Sequence, residues 1–196
     1  MFSKRFILIS LLLVVLLLLG CDLVIKYNES GSLGWARVKA NTVRNSKLPD
    51  GVLRSLGCRG PDTDGNLSDR DGSAWFFLYG DDRFALLVSV DREGNTESTP
   101  YYDHEENGVI PAYDDAEPWI IAANTAVLGI GITAEDYEWR ELFVSHDVEE
   151  DYVDTENTAW VYYARTVGEG DDEEVEEVAE VLLDADTNAV LSVQAL

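Results

Sequence analysis

The chain is poor in the residue types that carry most protein chemistry. Its 196 residues include two cysteines, two histidines, one methionine and five prolines. Two cysteines exclude a disulfide-rich scaffold and a four-thiolate zinc site. Basic side chains are also scarce: 14 Lys and Arg stand against 38 Asp and Glu, a net charge of −24. A nucleic-acid binder needs a basic patch for phosphate contacts, so no nucleic-acid partner is expected. The motifs His-Glu-x-x-His and Gly-x-Ser-x-Gly are missing, as is any glycine-rich phosphate loop. His104 and His146 are the whole histidine complement. Ser145-His146-Asp147 holds the residue types of a hydrolase triad. Adjacent strand residues point to opposite faces, however, so these three cannot form a relay. With 38 carboxylates, an acid/base pair can always be found and carries no information. The expectation is a protein that is not an enzyme and needs no cofactor.

What is present argues for a folded, exported molecule. Hydrophobic residues make up 46% and aromatic residues 10%, enough for a core in a chain of one domain or two small ones. Lys4 and Arg5 precede an apolar run from Phe6 to Leu19. That run is short for a spanning helix, which needs about 20 residues, and has the shape of a secretory signal peptide. It ends in Leu18-Leu19-Gly20-Cys21, which resembles the lipobox of bacterial lipoproteins. The resemblance implies cleavage after Gly20, lipidation of Cys21 and a membrane anchor on the extracytoplasmic side of the cell envelope. In enteric-type bacteria Asp22 would add inner-membrane retention. An uncleaved anchor helix and an ordinary signal peptide are the alternative readings.

Without residues 1–20 the chain has 38 acidic and 12 basic side chains over 176 residues, a charge of −26. Three lysines remain, Lys26, Lys39 and Lys47. Such a lysine-poor, acidic surface stays hydrated in strong salt and reads as halophilic adaptation. An acidic face for a basic partner is the alternative. Anionic lipid repels the chain, so the acyl anchor would be its hold on the membrane. If Cys21 is lipidated, Cys58 is alone and reads as a small buried hydrophobe.

Internal similarity is the most informative feature. Trp35–Val43 matches Trp119–Val127, and Ser73–Tyr79 matches Thr158–Ala164, with Trp75 set against Trp160. Phe84–Asn95 matches Val178–Asn188 after an acidic insertion, Gly168–Glu177. Each copy reads as a helix and a run of antiparallel strands. The helices fall at 33–45 and 117–128. The strands fall at 51–58, 74–79, 84–90 and 95–99, then at 139–146, 159–165, 176–183 and 189–194. The expected fold class is α+β: two tandem repeats, each a short helix packed on an antiparallel three- to four-stranded sheet. The expected domains are a signal peptide at 1–20, lipidated Cys and tether at 21–32, first repeat at 33–99, linker at 100–116 and second repeat at 117–196. The tether reaches at most roughly 35–40 Å.

The strand 74–79 is apolar on both faces: Trp75, Phe77 and Tyr79 on one, Phe76 and Leu78 on the other. Such a strand has both faces covered. The helix can cover one. The other is expected to meet the second repeat, with a partner protein as the alternative. Trp75, Phe77, Tyr79, Trp160 and Tyr162 are the candidate binding residues.

Helix, strands and the closing Val181-Leu-Leu-Asp-Ala-Asp-Thr-Asn-Ala-Val-Leu191 together resemble the PepSY domain. Asn188 stands where that family commonly has glycine, and Asn tolerates a left-handed turn. The resemblance implies an extracytoplasmic module that binds or inhibits a peptidase or modulates an envelope protein. The tandem plan is also similar in architecture to secreted β-lactamase inhibitor proteins, without their disulfides. Asp62, Asp64, Asp69 and Asp71 lie in a loop with alternating oxygen ligands, the kind that takes Ca²⁺. Its pattern departs from the EF-hand at Leu67 and Ser73, and a solvated turn is the simpler reading.

The sequence thus predicts a lipid-anchored, exported, non-catalytic protein that binds an envelope protein. The alternative is a structural or sensing lipoprotein with self-packed repeats and bound Ca²⁺. Cys21→Ser should move the protein from the membrane pellet to the soluble fraction on cell fractionation; a variant that stays in the pellet as wild type does would overturn the lipid anchor.

Overall fold

The computed structural model describes residues 29–82, 84–101, 108–146, 156–168 and 174–196. The signal peptide, Cys21, most of the tether, His104 and Asp147 lie outside the described residues. Helix α1 (Leu33–Lys47) is followed by β1 (Val52–Arg59), β2 (Ala74–Gly80), β3 (Ala85–Asp91) and β4 (Thr96–Tyr101). Helix α2 (Glu117–Gly129) is followed by β5 (Trp139–Ser145), β6 (Thr158–Val167), β7 (Glu174–Asp184) and β8 (Val190–Ala195). The helix starts have local causes. Ser32 caps α1, its Oγ accepting the Trp35 N–H at 3.3 Å. Helix α2 carries Pro118 in its first turn, and Asp115 Oδ1 accepts the Glu117 N–H at 3.0 Å.

The eight strands form one antiparallel sheet in the order β4-β3-β2-β1-β5-β6-β7-β8. Its centre is the pairing of β1 with β5, from Ser55 opposite Ser145 to Arg59 opposite Glu141. This corrects one expectation. The halves do not stack face to face as separate sheets; they join edge to edge. Gly57 sits in this joint, and a Cβ there would lie 3.0 Å from the Leu142 carbonyl oxygen.

Both helices cover the same side. Helix α1 packs on β2, β3 and β4, and α2 on β6, β7 and β8. The side chains they bury alternate along each strand: Leu56 and Cys58, Trp75, Phe77 and Tyr79, Val88 and Val90, Leu142 and Val144, then Val161 and Tyr163. Buried polar groups are satisfied in matching ways. The Trp75 indole N–H donates to the Gly31 carbonyl at 2.8 Å, and that of Trp119 donates to the Ala185 carbonyl at 2.9 Å. Tyr79 donates to Asn41 Oδ1 and Tyr163 to Asn124 Oδ1, each at 3.0 Å. The β7–β8 turn places Asn188 at a φ of 62°, the left-handed conformation expected of it.

These tyrosines give the fold a pH dependence. Burial pushes Tyr79 up to about 12, opposed by the nearby Arg44 and Arg37. Burial also pushes Tyr163 upward. An unfolded tyrosine ionises near pH 10, so the folded chain holds protons there that the unfolded chain releases. This part of the stability is complete below about pH 10 and is lost as pH rises through about 12. The urea midpoint should therefore fall steeply between these values. Tyr79→Phe should start lower, by about 1 kcal/mol for the lost hydrogen bond, and fall less.

Candidate functional site

On the other side of the sheet no helix or strand packs among the described residues, although Ser55, Ser145, Thr158 and Leu182 on that side are buried. Register places one residue from every strand in a row across it. In order from β4 to β8 these are Glu97, Ser89, Phe76, Gly57, Phe143, Trp160, Leu182 and Ser192. Five strands, β2 to β7 across the joint, thus bring Phe76, Phe143, Trp160 and Leu182 into line, with a gap at Gly57. Leu78 and Leu87 extend the row on one side and Tyr162 on the other. Phe143 is 43% exposed and Leu87 36%, while Phe76, Trp160 and Tyr162 are half-buried. The Trp160 and Tyr162 rings stack with centroids 6.1 Å apart and planes 8° from parallel. Leu182 is buried.

The border of this face is acidic. Asp91, Glu97, Glu141, Glu177, Glu180 and Asp184 belong to it by register. Two cations stand among them: Arg59 pairs with Glu141 across the joint at 3.2 Å, and Arg70 lies 3.7 Å over the ring of Trp139. Beyond Phe76 the face opens into a cavity of about 440 Å³ lined by acids and arginines alike: Asp91, Glu93 and Glu97 with Arg92, and the loop 68–73 with Arg70. Two of its acids are internally engaged. Asp69 pairs with Arg92, and Asp91 accepts from Asn95 through both carboxylate oxygens.

The five candidate binding residues divide. Trp160 and Tyr162 lie on the open face. Trp75, Phe77 and Tyr79 lie in the core under α1 and cannot form part of an exposed surface. The offset that set Trp75 against Trp160 is therefore one residue out. In space Tyr79 corresponds to Tyr163, each bonded to a helix asparagine, and Trp75 to Ala159. Phe143, at the centre of the row, was not among the candidates, because Leu142-Phe143-Val144 reads as an uninterrupted apolar strand.

The acidic loop works as structure. Asp62 Oδ1 accepts the N–H groups of Asp64 and Asn66, both at 2.9 Å, which holds the turn. Gly65, at a φ of +75°, packs so closely on α2 that a Cβ would lie 2.5 Å from the Glu117 nitrogen. Among the described residues no group of three or more His, Cys, Asp or Glu side chains is placed to hold a metal ion. Cys58 is buried, and burial first, then Asp62 and Glu141, push its thiol upward, away from the reactive thiolate. His146 Nδ1 lies 3.3 Å from Asn157 Oδ1, and Asn157 in turn donates to Asp186, which accepts from Tyr113. This chain of contacts ties the β7–β8 turn to the segment before α2, a link the sequence did not suggest.

No protein-family model matches the chain, and no curated protein matches it. It is similar to a crystal structure of a candidate lipoprotein from Clostridium difficile 630, at 14% identity over 80% of this chain and 90% of that one, with a TM-score of 0.46. No helix among the described residues is long and apolar enough to cross a membrane.

The two sides of the sheet should respond differently to truncation. Phe143→Ser on the open face should change the unfolding free energy by less than about 1 kcal/mol, whereas Trp75→Ala in the core should cost about 3–5 kcal/mol. Urea unfolding followed by circular dichroism measures both; a larger loss for Phe143→Ser would mean that this ring is packed rather than displayed.

Proposed function

We propose that this chain is an exported, non-catalytic binding protein, anchored by a lipid on Cys21, whose open sheet face docks an envelope protein. The observation that carries the reading is the aromatic row from Phe76 to Leu182, laid across a sheet whose other face is fully used by the two helices. A monomer has no internal reason to display aligned aromatic rings, and exposed apolar patches of this kind mark interaction sites. A role limited to self-packing would have both faces of β2 and β6 covered. Among the described residues, edge-to-edge joining of the halves puts the helices on one face only.

Two finer features belong to the same reading. The lipobox at Leu18–Cys21 supports export and anchoring. The recurrence of helix plus four strands, with a tyrosine–asparagine bond in each half, supports two PepSY-like repeats. By that likeness the effect on the partner would be to modulate or inhibit it, with an envelope peptidase as the leading class. Fold likeness gives no site residues, so the assignment rests on the face itself.

Site-specific photo-crosslinking in cells tests the proposal. A benzoylphenylalanine at Leu87, on the open face, should give one recurrent crosslinked product. The same probe at Val38, on the outer side of α1, should not give it. Phe143→Ser in the Leu87 probe strain should remove the product. Identical products from both positions, or none from Leu87, would overturn the docking face.

A further inference from the structure

Charge is divided very unequally between the two halves that the joint brings together. Residues 33–99 carry nine basic and ten acidic side chains, and residues 117–196 carry two and twenty-one. The acid load therefore belongs to the second half and is not a uniform coat. Salt tolerance alone gives no reason for that division, since both halves meet the same solvent. The most exposed ring of the open face, Phe143, and the stacked pair Trp160 and Tyr162 all belong to the acidic half. The carboxylates of Glu141, Glu177 and Glu180 flank them by register. Arg59 on this face is already paired with Glu141, Arg70 stacks over the Trp139 ring at 3.7 Å, and Glu180 accepts from Gln194, which leaves Glu177 as the flanking carboxylate not engaged in these contacts.

We infer that the occupant of the open face is a cationic polypeptide segment, extended, with apolar side chains that seat on the aromatic row and Lys or Arg side chains that meet the flanking carboxylates. This rests on the docking face proposed above and adds the chemistry of what docks. Size agrees with it. The row from Phe76 to Leu182 crosses four strand spacings, about 19 Å, the span of roughly six residues of extended chain. A second copy of this chain, itself at a net charge of −24, brings no excess of cations to meet these carboxylates.

The test uses the full chain in nonionic detergent and two labelled heptapeptides, capped Lys-Trp-Lys-Leu-Lys-Trp-Lys and its Glu-for-Lys counterpart, with binding read by fluorescence anisotropy. The Lys peptide should bind at least tenfold more tightly than the Glu peptide and lose at least tenfold between 50 and 500 mM NaCl, as expected of charge-assisted docking. Phe143→Asp should weaken the Lys peptide at least tenfold even though it adds negative charge, which separates docking from non-specific attraction. The double variant Glu177→Gln with Glu180→Gln should weaken it several-fold, and the distant Glu135→Gln should leave it unchanged. Equal affinity for the two peptides, or no effect of Glu177→Gln with Glu180→Gln, would overturn the cationic assignment; the docking face then stands or falls by the crosslinking result. Lys-peptide binding that ignores Phe143→Asp would mean non-specific attraction and would overturn this inference. No binding of either peptide would also overturn it.

Discussion

The pairing of β1 with β5 is the constraint on which the rest depends. Five residues on each strand, Ser55–Arg59 and Glu141–Ser145, share their backbone hydrogen bonds. Left apart, each half would show an open edge there, with unpaired N–H and C=O groups. Joining edge to edge uses both edges and fixes the relation of the halves. Alternation along every strand then places both helices on one side. Nothing about either helix–sheet unit alone requires a common uncovered face. It follows from the joint, in which Gly57 fits closely: a β-carbon there would lie 3.0 Å from the Leu142 carbonyl oxygen.

Little of the strength of the joint is electrostatic. The Arg59–Glu141 pair spans it, but both side chains are about half exposed, and such pairs contribute about 0–1 kcal/mol. Hydrogen bonds and the packing of Leu56 with Val144 and Cys58 with Leu142 hold the two strands. Electrostatics decides what the outer face will tolerate nearby. One half is close to neutral, and the other is strongly acidic. The aromatic rings lie where the acidic half meets the joint.

Much of the fold is legible in the sequence. Both helices and all eight strands fall within a few residues of the expected ranges, because hydrophobic alternation and turn residues such as Gly94 and Asn188 mark them clearly. Two things were not legible. The first is register. Matching Trp75 to Trp160 is natural by residue type, yet one position of slip moves a side chain to the opposite face. The buried tyrosines Tyr79 and Tyr163 give the true correspondence, and they are recognisable only through their asparagine partners. The second is the joint. Alternation says which strands have two apolar faces, but not which edges of two sheets will meet. The expected cover of Phe76 and Leu78 by the second half therefore failed, and that failure exposes the candidate site. Trp160 and Tyr162, candidates from the sequence, fall on the outer face, and Phe143 joins their row only through the sheet.

The joint also sets an order of events. All other strand pairings link neighbours in the chain, whereas Arg59 and Glu141 are 82 positions apart. Closing so long a loop is slow compared with forming hairpins. A chain made amino end first would complete β1 to β4 well before β5 exists. During that interval β1 waits as a bare edge. The near-neutral half is thus the one that must survive alone, and its outer strand β4 carries Glu97 and Pro100, residues that discourage pairing with strangers. The last strand, β8, has neither charge nor proline over Val190–Ala195. It is made last and has the shortest wait before the sheet is complete.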